Sequence, residues 1–139
     1  MKARILHITT SFLYYGIIVF LSYTTFNKFQ NIESFQMNLT KTGFFPQKII
    51  PVFSYIVITA EFLTVLMLIF YKNIGLKIAG LMFLTFTIYI SLLQALGKYE
   101  VCGCGGILNG LSYKYHITIN LFLIFSTLLI IKKIETNEK

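Results

Sequence analysis

The chain holds two cysteines, and both fall in the stretch VCGCGGILNG, residues 101–110, with one glycine between them. Cys102 and Cys104 cannot be bridged within a regular helix, because positions i and i+2 point to nearly opposite sides. The backbone has to turn sharply there, and Gly103, Gly105 and Gly106 tolerate the dihedrals this requires. A disulfide across one residue closes a very small ring, which is strained, easily reduced and barely restrictive of the unfolded chain. Bracing is therefore a poor use for the pair, and exchange of electrons with another thiol pair is a good one. Two other uses stay open: a soft-ligand site for Cu(I), completed by His116 or a methionine, and two unrelated buried thiols. Zinc would need four ligands, which the chain supplies poorly here, and no metal site is assigned. Lys98, Lys114 and His116 lie close in sequence and favour the nucleophilic thiolate, with Glu100 acting the other way.

Two more polar features stand in apolar surroundings. Glu61 sits inside ITAEFLTVLML, where a charge at mid-membrane costs about 3 kcal/mol on insertion scales. It is expected to face a protein interior, in its protonated form, either as a proton acceptor or ligand-orienting group, or as a packing hydrogen bond to Thr85, Thr87, Gln94 or Asn120. His116 and Asn120, in HITIN, are one helical turn apart and share a face. If that face looks inward, His116 can serve as acid or base for the thiols; the other reading is an interfacial histidine touching headgroups or water.

The elements that must position these groups are membrane helices. With 56% hydrophobic and 12% charged residues in 139, the chain is far from an ordinary soluble domain. Residues 8–26, 49–71, 78–96 and 115–131 are each long enough, at about 1.5 Å per residue, to cross a hydrocarbon core or most of it. The first follows Lys2 and Arg4 but is too long for a signal-peptide core and has no small-residue cleavage site after it, so a retained helix is expected. Pro51 falls in the first turn of the second span, where its missing N–H costs little. The expected fold is all-α: a single polytopic four-helix transmembrane bundle over residues 1–139 with an extracytoplasmic cap.

The net charge of +7 comes from residues scattered through connections and ends, with no basic stripe, which argues against nucleic acid and for topology signals. Lys2, Arg4, Lys72, Lys77, Lys132, Lys133 and Lys139 fall on one side; Lys28, Lys41, Lys48, Lys98 and Lys114 fall on the other. The first set belongs in the cytoplasm, with both termini and a tight turn at residues 72–77, which leaves the C-x-C loop outside, where disulfides are allowed. Within the outer connection of residues 27–48, Phe29, Ile32, Phe35 or Gln36, and Leu39 recur at helical spacing, stopped by Gly43 and Pro46. That is a short amphipathic helix, serving as a lid over the bundle or as a docking surface. Tyr99, Tyr113 and Tyr115 read as part of an interfacial aromatic belt.

Taken together, FNKF with Lys28, ITAEFLTVLML with Glu61, CGCGG with Cys102 and Cys104, and HITIN with Asn120 resemble the MauE and DoxX-like family of redox-associated membrane proteins over nearly the whole chain. The resemblance implies a four-helix bundle of the cytoplasmic (inner) membrane that works with a thioredoxin-like extracytoplasmic protein or other membrane subunits, some relatives being quinone-linked. On that reading Cys102 and Cys104, with His116 and Glu61, are the expected site of a thiol–disulfide oxidoreductase component. Quinone is then the one cofactor to consider, because two cysteines leave no second pair to pass electrons on. A non-catalytic subunit of a larger membrane assembly and a Cu(I)-handling protein are the alternatives.

Overall fold

Unbroken apolar runs set the helices, and the residues that interrupt them set the turns. In a computed structural model describing residues 1–99, 108 and 110–137, the elements are α1 Lys2–Gln30, α2 Ile32–Thr42, α3 Ile50–Phe70, α4 Lys72–Ala95 and α5 Tyr113–Asn137. Cys102 and Cys104 lie outside the described residues. Among the described residues four helices are long and apolar enough to span a membrane: Arg4–Gln30 of α1, all of α3 and α4, and Tyr113–Asn137. The main contacts run α1 to α3, α3 to α4, α4 to α5 and α5 back to α1, a four-cornered bundle.

The side chains are sorted as lipid demands. Large apolar residues such as Phe12, at 78% exposure, and Phe70, at 72%, point outward, while Thr24, Thr25, Ser54, Glu61, Asn120 and Thr127 are buried. In water that arrangement would be inverted; in hydrocarbon the polar groups have to bond one another inside. The apolar core brings Ile17 and Leu21 of α1 against Leu68 of α3, Leu76 and Phe83 of α4, and Ile130 of α5.

Residues 72–77, expected as a tight turn, are helical, and the reversal between α3 and α4 is made at Tyr71 alone, with φ −131° and ψ 69°. Polar side chains mislead there because a helix carries them on its exposed face: the Lys72 ammonium lies 4.5 Å over the Tyr14 ring, and Lys77 approaches Glu135 at 3.9 Å with both side chains exposed. The Tyr14 hydroxyl donates to the carbonyl of Leu68, one of the last-turn carbonyls that a helix end leaves unpaired. Gly75 makes so short a connection possible, since a Cβ there would sit 2.5 Å from the Leu68 backbone nitrogen. Gly75→Ala is therefore expected to lower the melting temperature in detergent, an overpacking cost of about 1–3 kcal/mol. Gly16→Ala is the control, because a Cβ there meets nothing within 4 Å; equal melting of the two variants would rule out the close approach.

α2 is the amphipathic segment, and it is a lid. Phe35 and Leu39 bury against Ile50 and Ile58 of α3, and Gln36 Nε2 donates to Ser54 Oγ at 2.9 Å. It ends at Gly43, whose φ of 71° is left-handed, a conformation only glycine adopts cheaply. Lys98, just after α4, donates from Nζ to the Thr42 carbonyl at 2.7 Å, so it ties the end of the lid to the neighbouring helix end.

Candidate functional site

The last two turns of α1 continue an inward stripe, Ile17, Leu21, Thr24 and Thr25, Lys28, all of it buried. The spacing of three and four keeps these residues on one helical face. Lys28 therefore belongs to the bundle, not to the connecting segment where its charge alone places it. Its ammonium meets Glu61 Oε1 at 2.5 Å, with the two side chains 4% and 0% exposed. Thr25 Oγ1 lies 3.2 Å from the other carboxylate oxygen. The Lys28 ammonium also lies 5.9 Å from the Phe35 ring and 5.2 Å from the Phe86 ring, contacts that stabilise a desolvated cation. The bonds Glu61 makes run to Lys28 and Thr25, not to the partners expected for it, and the Thr85 and Thr87 hydroxyls bond carbonyls of their own helix. The contact Glu61 makes is thus with an ammonium group of α1, and two polar groups that would each be costly alone in the bundle satisfy each other.

Beside this pair lies a cavity of about 280 Å³ under the lid. Phe20, Thr24 and Lys28 line it from α1, Phe35 and Leu39 from the lid, and Phe53 and Val57 from α3. Phe86 and Tyr89 of α4, and His116 and Asn120 of α5, complete the wall. Every helix contributes, so the cavity exists only in the folded bundle.

His116 is 1% exposed, which removes the reading of a histidine touching headgroups or water. Its Nδ1 lies 3.0 Å from the Tyr99 hydroxyl oxygen, and that hydroxyl donates to the Leu111 carbonyl at 2.9 Å. With the tyrosine hydrogen used there, the contact has Nδ1–H donating to the Tyr99 oxygen and leaves Nε2 as the ring nitrogen outside this pairing. Tyr113, whose hydroxyl is 3.2 Å from Ser91 Oγ, packs edge-on against Tyr99 at 5.6 Å. These two tyrosines thus brace the histidine, and of the three expected in an aromatic belt only Tyr115 is outward, at 67% exposure. Asn120, one turn below, is 2% exposed, and its amide nitrogen has no hydrogen-bond partner among the described residues.

The structure thus brings His116 and Asn120 to one cavity, with Lys28 on its wall and Glu61 behind Lys28. The lysine and the cavity were the features missed from the residues themselves; continuation of the Ile17–Lys28 stripe was the available signal. The chain's residues 6–132 match the family described as Methylamine utilisation protein MauE. No curated protein and no solved structure matched the chain. Running from the first turns of α1 into the last turns of α5, the match covers the whole bundle, and the chain belongs to the MauE family.

Proposed function

We propose that this chain is a membrane thiol–disulfide redox component, in which Cys102 and Cys104 exchange a disulfide with an extracytoplasmic thioredoxin-like partner. The observation that carries the reading is the buried His116, its Nδ1 fixed by Tyr99, in the first turn of the helix into which the C-x-C segment leads. A histidine close in sequence to a thiol pair can act as the base that forms the attacking thiolate. That thiolate bonds one sulfur of the partner's disulfide and expels the other as thiolate. The second cysteine then attacks the mixed disulfide, so the partner leaves as a dithiol and the C-x-C pair as a disulfide. Two electrons and two protons have moved, and the same steps run in reverse. The family's description ties it to methylamine utilisation; the thiol chemistry proposed here does not depend on that substrate.

The orientation that suits this role has both termini in the cytoplasm and the C-x-C loop outside the cytoplasmic membrane. Charge supports it more strongly once Lys28 is inside the bundle, since Lys41, Lys48, Lys98 and Lys114 then face seven cytoplasmic lysines and arginines. Mass-tagging of cysteines in intact cells with a membrane-impermeant maleimide tests both points at once. The pair is expected to resist the tag until a reductant is added and then to take two tags from outside. Tagging only after the membrane is opened would reverse the topology, and full tagging without reductant in every condition would leave no disulfide to exchange.

A further inference from the structure

We propose that the cavity beneath the lid binds the ring head group of a membrane quinone, with the Asn120 amide donating to a ring carbonyl oxygen. Three observations select this class of ligand. The wall is largely aromatic, with Phe20, Phe35, Phe53 and Phe86 contributed by four different helices, which suits a flat ring that can stack. The Asn120 amide nitrogen is buried and has no partner among the described residues. A buried donor left unpaired is costly, so an acceptor other than those the described residues supply belongs beside it. The third observation is charge: Lys28, the lysine among the described residues of the wall, is already paired with Glu61, so the cavity suits a neutral ligand.

Other occupants satisfy fewer of these conditions. An acyl chain offers no acceptor to Asn120. A single water would bond the amide and leave most of about 280 Å³ empty, and a benzene-sized guest fits a cavity of about 150 Å³. A carboxylate or phosphate would enter without a countercharge. A quinone ring is neutral and flat, and it carries carbonyl acceptors on opposite edges.

The redox consequence rests on the thiol–disulfide reading above, whereas binding does not. When the C-x-C dithiol closes to a disulfide it releases two electrons and two protons, and the quinone accepts both pairs to become a hydroquinone. The S–H bonds break, one S–S bond and two O–H bonds form, and no further oxidant is required. His116 lies on the same wall and is a titratable side chain there that could carry a proton to the ring.

The test is titration of the full-length protein in mild detergent with decylubiquinone, followed by calorimetry, with oleate as competitor. Saturable binding at one site per chain is expected, resistant to oleate and weakened about tenfold by Asn120→Leu, the share of one hydrogen bond. Thr24→Phe, which grows into the cavity from α1, is expected to abolish binding and serves if Asn120→Leu does not accumulate. Absence of saturable binding to the unaltered protein, displacement by oleate, or undiminished affinity in either folded variant would overturn the proposal. The double variant Cys102→Ser/Cys104→Ser separates the two readings: it is expected to bind decylubiquinone while unable to reduce or oxidise a partner. If quinone binding fails while thiol exchange persists, only the quinone site is lost.

Discussion

Glu61→Gln is expected to remove most of the protein from the membrane, and a second substitution, Lys28→Met, is expected to be as damaging. Each leaves its partner charged, buried and without a counterion, in a position where the side chains are 4% and 0% exposed. Breaking a buried ion pair from one side costs about 3–5 kcal/mol, which is comparable to the whole stability of many domains. The pair as a unit need not be stabilising, because removing both charges also removes both desolvation costs. Lys28→Met with Glu61→Leu should therefore recover accumulation and melting temperature to near the unaltered protein. Accumulation of Glu61→Gln at the normal level, or a double variant as unstable as the singles, would show that the two residues are not coupled. The recovered double variant also isolates the chemistry. Lowered redox turnover in a stable bundle would assign Glu61 to proton handling, and unchanged turnover would confine the pair to holding α1 against α3 beneath the lid.

Cys102→Ser and Cys104→Ser are each expected to reduce disulfide exchange with the partner to the level of the double variant. The two thiols form one functional unit, so losing either should cost nearly as much as losing both. Folding should be untouched, because a ring closed across one residue contributes little chain-entropy stabilisation. Melting temperatures of the singles within a degree or two of the unaltered protein, alongside lost exchange measured by the partner's redox state, are the expected pattern. A double variant with full activity would instead fit the accessory-subunit reading, and copper bound stoichiometrically and lost in the double variant would fit a Cu(I) role.

Much of this arrangement is written in the chain in short range. Four apolar runs give four spanning helices, and a glutamate inside one of them announces a buried polar contact because nothing else tolerates it. Gly43 and Pro46 stop α2 where the dihedrals demand. What the residues do not disclose is long-range pairing. Hydropathy stops α1 near Phe26, since Asn27 and Lys28 resemble a loop, yet helical spacing carries the inward face through Lys28 to meet a carboxylate that is distant in sequence. The polar start of α5 resembles an interface for the same reason; it is buried because Phe44, Tyr99 and Tyr113 cluster over that end with Ile90 and Leu93. The cavity is the least legible feature. Fourteen phenylalanines are spread along the chain, and a void depends on which of them fail to fill the space between five helices, a property of packing and not of local pattern.

Exchange of disulfides between the C-x-C pair and a thioredoxin-like protein passes through a covalent adduct, and that adduct can be trapped. Cells producing Cys102→Ser or Cys104→Ser at native level are quenched with acid and alkylated, and adducts are isolated in mild detergent and identified by mass spectrometry. Removing the resolving cysteine stops the reaction at the mixed disulfide. One of the two variants is expected to hold a thioredoxin-like protein in an adduct that reductant releases, and the double variant is expected to hold none. Absence of any adduct from both single variants, each folded and present in the membrane, would contradict the account.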